Sequence, residues 1–136
     1  MRSIKIFFIL STLIISSCSS TGLTKMISEK LISKDKQYVL GSSDIPLIDG
    51  LELMEEDSTS FDTMSGDIVI SKYKGNFKLK LIKDFYLETL PQLGWRVVDV
   101  KKDKISFKRE KDKLEIKFDY ASKGLYVRFF ISSVLQ

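Results

Sequence analysis

The chain has 136 residues, 43% hydrophobic, 29% charged and 11% aromatic, and carries a formal charge of +4 from 22 Lys or Arg against 18 Asp or Glu. That length and balance fit one folded domain with a core and exclude disorder throughout. With no His and a single Cys, the counts exclude catalytic His, His-based metal sites, thiol-imidazole pairs and an internal disulfide.

Arg2 and Lys5 precede an uncharged run from Ile6 to Ile15, the layout of a secretory signal. At about 1.5 Å per helical residue the run reaches only about 15 Å, half of a roughly 30 Å hydrocarbon core, so cleavage is expected rather than a permanent span. The run ends in Ile15-Ser16-Ser17-Cys18, and here the segment resembles the lipobox of bacterial lipoproteins: an aliphatic residue, two small residues, then the cysteine that is lipidated. The resemblance covers the signal alone. It implies a diacylglycerol thioether on Cys18, removal of residues 1–17 as a signal peptide and acylation of the new amino terminus, so that lipid holds the protein to a membrane of the cell envelope. Two or three acyl chains anchor stably, whereas one myristoyl chain, at about 0.8 kcal/mol per CH₂, binds only marginally. By the same resemblance, Ser19 rather than Asp after the cysteine favours the periplasmic face of the outer membrane. The other reading is an ordinary secretory signal cut after Ser19, with Ser17 and Ser19 as the small residues and Cys18 discarded. Loss of Arg2 and Lys5 leaves +2 of the +4, so the mature protein is only slightly basic.

Residues 18–44 read as tether and linker. Ser19 to Gly22 is small and polar. From Leu23 to Leu40, Met26, Ile27, Leu31 and Ile32 suit either two or three turns of amphipathic helix or an ordered linker lying on the domain. Gly41 to Asp44 is a break, and Ile45 to Gly50 an extended lead-in with a turn at Asp49-Gly50, so the domain is expected to span 45–136. Leu51 to Glu55 and Asp67 to Tyr73 read as strands, with Ser65-Gly66 as a turn and Phe61 and Met64 extending that hairpin. Asn76 is the expected N-cap of a helix running to about Leu90. Its stripe of Phe77, Leu81, Ile82, Phe85, Tyr86 and Thr89 gives it one buried face. Pro91 ends the helix or kinks its last turn, and Gly94 suits the left-handed position beyond it.

Four strand-like segments follow: Trp95 to Lys101, Ile105 to Arg109, Leu114 to Tyr120 and Leu125 to Ser132. Short turns around Asp103, Asp112 and Lys123-Gly124 separate them, and such links demand antiparallel neighbours. The expected fold is α+β, a single helix packed on a twisted antiparallel sheet in the order ββ-α-ββββ. In the last strand Leu125, Val127, Phe129 and Ile131 fill one face, while Tyr126 and Phe130 flank Arg128 on the other. A second face bearing aromatics needs a cover: the Leu23 to Ile32 segment, a second copy of the protein, or a ligand. Tyr126, Arg128 and Phe130 are therefore the candidate interaction face.

The run Phe85-Tyr86 through Leu90-Pro91 to Gly94-Trp95, with the lead-in from Pro46 to Leu51, resembles a pattern in small bacterial envelope proteins of unassigned role, many of them lipoproteins. It spans about Ile45 to Phe118 and implies a fold and an envelope location, with no site residues to carry over.

Other constellations point to bland roles. Trp95, just past a helix-ending glycine, is expected to pack back on the helix it leaves rather than to stack a ligand. Lysines at 72, 74, 78, 80 and 83, and at 101, 102, 104, 108, 111 and 113, suit either anionic head groups or ordinary solvated hairpin tips, and the interspersed acids favour the second. The acidic stretch Glu52, Glu55, Glu56, Asp57, Asp62 lacks the spacing of a calcium loop. No phosphate loop, nucleophile elbow or dinucleotide fingerprint occurs, so no catalytic residue, metal or cofactor is expected. Nucleic-acid binding is not expected for an exported chain. The expectation is a noncatalytic, lipid-anchored protein contacting an envelope partner or its own copies; the alternative is a carrier of a lipid or other apolar ligand between helix and sheet.

Overall fold

The computed structural model describes residues 37–134; Cys18, the run leading to it and the Leu23 to Ile32 segment lie outside them. Strand β1 (Glu52–Leu53) leads through a 3₁₀ turn (Glu55–Asp57) to β2 (Thr59–Thr63) and β3 (Gly66–Gly75). Helix α1 (Leu79–Gln92) follows, then β4 (Arg96–Val100), β5 (Lys104–Arg109), β6 (Asp112–Ala121) and β7 (Gly124–Val134). All seven strands join one sheet in the order β1-β3-β7-β6-β5-β4, with β2 also on β3, and every pairing is antiparallel. The fold is α+β, one helix on an antiparallel sheet.

The order before the helix gains a strand. Phe61 belongs to β2, which pairs with Gly66 to Ile70, while β1 pairs with Tyr73 and Lys74 farther along the same edge of β3. The expected strand from Leu51 to Glu55 shortens because the chain turns away at Met54. Its N–H still bonds the Lys72 carbonyl, but the Ser58 hydroxyl and the Asp57 N–H both donate to the Met54 carbonyl and wind the next residues into the 3₁₀ turn.

Helix α1 begins at Leu79, not after Asn76. Lys78 is the extended residue before it and contributes no side-chain cap. A residue from β6 does that work: the Leu79 N–H donates to the Tyr120 hydroxyl at 2.8 Å, and that hydroxyl donates to the Phe77 carbonyl at 3.1 Å. At the other end Pro91 sits inside the last turn. Gly94 takes φ +85°, and the Gly94 and Trp95 N–H groups reach back to the Pro91 and Leu90 carbonyls, the two bonds of a Schellman ending.

The core fills one face of the sheet. Ile82, Phe85, Tyr86 and Leu90 of α1 meet inward residues of β5, β6 and β7, with Tyr86 edge-on to both Phe85 and Phe129 and Tyr73 edge-on to Phe129. Trp95 is buried in the same cluster. A 14-residue helix is only about 21 Å long and leaves part of a seven-stranded sheet uncovered. The lead-in covers the remainder with Val39, Ile45, Ile48 and Leu51. The Tyr86 hydroxyl donates to the Pro46 carbonyl, and the Leu40 N–H donates to the Tyr73 hydroxyl. The packed unit therefore takes in Gln37 to Asp44 rather than starting at Ile45. Gly41 shows how tightly that stretch lies: a Cβ there would fall 2.6 Å from a Val69 methyl.

Candidate functional site: the open sheet face

Side chains alternate across a strand, so each inward core residue leaves its neighbours on the opposite face. On β7 these are Tyr126, Arg128, Phe130 and Ser132; none is buried, and the same holds for the outward residues of β5 and β6 and for Ile68, Ile70, Lys72 and Lys74 of β3. The three candidate residues read from the sequence thus stand side by side on the face away from the helix.

Strand register brings other side chains beside them. Phe130 lies directly between Ile70 of β3 and Glu115 of β6. Arg128 lies between Lys72 and Lys117, and Lys117 is opposite Lys104, giving a row of four cations across four strands. At about 4.8 Å between strands that row spans about 14 Å. A second row runs Lys113, Lys108, Arg96 across β6, β5 and β4. Like charges directly opposite one another destabilise a sheet. Partial relief is visible in the first row: Glu115 bonds Lys104 at 2.9 Å and Lys117 at 3.2 Å, and Asp57 bonds Lys72 at 2.8 Å. Lys72 also stands 5.1 Å above the Tyr126 ring, a cation-π contact. Among the described residues, no carboxylate lies within ion-pair distance of Arg128, Lys108 or Lys113.

These pairs tune the ionisable groups. Partial burial raises the Glu115 carboxyl, but hydrogen bonds from Lys104 and Lys117 outweigh it and hold the group below the ordinary carboxylate range. The hydrogen bond to Glu115 holds the Lys104 ammonium above its usual value. Both shifts favour the charged forms of Glu115 and Lys104. Beside Phe130 the bulge of β4 at Val98 opens a cleft of about 270 Å³ with Phe130, Lys108, Lys113 and Glu115 among its lining residues.

Of the sequence lysines, the fold gathers Lys72, Lys104, Lys108 and Lys113 onto this face and sends others elsewhere. Lys80 pairs with Asp84 along the helix, and Lys83 donates to the Lys101 carbonyl. The contributions of Ile68, Ile70, Lys117 and Val98 were not anticipated. The period-two series Ile68, Ile70, Lys72, Lys74 is the available signal, but it names a face only once the strand order is known. The acidic stretch falls on the opposite edge, around β1 and β2. Between helix and sheet, where an apolar ligand was considered, Phe85, Tyr86, Tyr73 and Phe129 fill the space. Among the described residues, no helix is long and apolar enough to cross a membrane. No protein-family model matches the chain, and neither a curated protein nor a solved structure is similar to it.

Proposed function

We propose that this is a lipid-anchored, noncatalytic protein of the cell envelope that acts through protein–protein contacts of its α+β domain, with the open sheet face as the contact surface. One observation supports the contact above all. The face carries Phe130 and Ile70 in a half-exposed apolar strip between two rows of cations, with Tyr126 just beyond the first row, the mixture of an aromatic centre and a charged rim found at protein interfaces. The anchor rests on the Ile15 to Cys18 resemblance, and the noncatalytic reading on the missing His and on a sole thiol assigned to lipid.

A photo-crosslinking amino acid at position 130 of the full chain, expressed at native level and irradiated in intact cells, tests the reading. Light-dependent protein adducts are expected there and not at Lys83 on the helix. Phe130→Asp is expected to leave folding intact and to abolish partner capture. No adduct at 130, or unfolding by Phe130→Asp, would remove the open face as the contact. Cys18→Ala is expected to end acyl labelling, and unchanged labelling would remove the anchor.

A further inference from the structure

Charge along the chain is sharply divided. Residues 37–71 contain eight Asp or Glu and no Lys or Arg, whereas residues 72–134 contain sixteen Lys or Arg against eight Asp or Glu. The described domain is neutral in sum and strongly polar in arrangement. The fold gathers the acids of β1, the 3₁₀ turn and β2 at one edge of the sheet, with β4 closing the other, while the lead-in crosses the core face and pairs Asp44 with Arg109 of β5. On the acidic edge Glu52, Glu55, Glu56 and Asp62 are exposed. Among the described residues, the acids of this half that form ion pairs are Asp57, with Lys72, and Asp44, with Arg109.

We infer that the partner of the open face is the acidic edge of a second copy of this chain, joined head to tail. The inference rests on the open face being a contact surface and adds what that surface meets. Two copies meeting face to face about a two-fold axis would set one mostly cationic face, with Arg128, Lys117, Lys113 and Lys108, against an identical one, a like-charge contact. The segment 19–36 is also a poor cover, since it carries four Lys against one Glu and one Asp. The acidic edge is the complement present in the chain itself, and it brings apolar side chains as well. Phe61 is 54% exposed and Met64 fully so at the β2–β3 tip, matching the cleft between Phe130 and the 62%-exposed Val98. Because the two surfaces differ, each copy of a pair leaves one of its two surfaces free, and the association continues beyond a dimer into a ring or an open row.

Two charge-reversed full-length variants test this. Lys113→Glu with Arg128→Glu removes the basic face; each new carboxylate lies opposite remaining cations, so folding is preserved. Glu55→Lys with Glu56→Lys removes the acidic edge at two exposed positions; circular dichroism checks both folds. Light scattering on the protein purified in mild detergent is expected to show wild-type mass growing with concentration beyond two copies at about 50 mM salt and falling to monomer at about 500 mM, where screening shortens to a few ångströms. Each variant alone should stay monomeric, with association weakened about tenfold or more. An equimolar mixture of the two should recover association that neither shows alone, since the two intact surfaces are complementary and the two reversed surfaces carry opposite charges. Wild type that stays monomeric, a mass that stops at two, or a mixture that stays monomeric would each overturn the head-to-tail contact. If it fails while position 130 still yields adducts with a different protein in cells, the open-face reading survives without it; if position 130 yields none, both fall.

Discussion

Arg109 ties three parts of the molecule together with one side chain. Its guanidinium pairs with Asp44 of the lead-in, donates to the Leu93 carbonyl at the helix end and lies 4.3 Å from the centre of the Trp95 ring. Burial on its own raises the Asp44 carboxyl; Arg109 and the Ser42 hydroxyl reverse this and leave the group below its ordinary value. A folded-state value below the unfolded one means that the pair stabilises the protein above the unfolded value, about pH 4, and that this contribution is lost as pH falls through the folded value. Asp44→Asn is expected to cost about 1 kcal/mol at pH 7, discounted because both partners are part-exposed, and less near pH 2. Urea melts at the two pH values check it, and a pH-independent loss would show that Asp44 acts through shape rather than charge. The sequence carried no hint of this pair, since its members are 65 residues apart.

At the scale of elements, the two ends of α1 illustrate what sequence signals reach. The C-terminal end is local: Leu90, Pro91, Gly94 and Trp95 supply both carbonyls, the left-handed residue and the closing N–H within six positions, so Gly94 was legible as the stop. The N-terminal end is not local. Asn76 satisfies the compositional rule for a cap, yet the Leu79 N–H is met by Tyr120, 41 residues away, and the helix starts where that hydroxyl is held. Tyr120→Phe is expected to cost about 1 kcal/mol, the range of a lost cap, and to fray the first turn. Hydrogen exchange at Leu79 to Leu81 would report it, while unchanged protection would mean that Lys78 or water caps the helix well enough alone. The additional strand before the helix, which the sequence shows only as Phe61 and Met64 extending a hairpin, has the same origin. Thr59 to Thr63 is entirely exposed, so it lacks the apolar alternation that marks β6 and β7 and exists only because the edge of β3 is there to pair with.

Across the whole molecule, opposed cations stand where stability alone would not place them. Lys113 lies directly across from Lys108, and Lys113→Glu is expected to raise stability by about 0.5 kcal/mol through an opposite-charge cross-strand pair. Thermal melts check the gain. A single variant that melts higher yet associates less would place the arrangement under the demands of contact rather than of folding; no gain would mean that solvent already screens the pair. The sequence by itself determined the strands after the helix, the helix end, the inward faces of β6 and β7, and the aromatic oddity of Tyr126 and Phe130, because period-two alternation and turn chemistry are properties of neighbours along the chain. Tertiary structure alone decided that Val39 joins the core, that Lys72, Arg128, Lys117 and Lys104 form one row, and that the acids of β1, the 3₁₀ turn and β2 gather at one edge of the sheet. Those depend on the strand order β3-β7-β6-β5, which pairs residues far apart along the chain and which no window of local sequence contains.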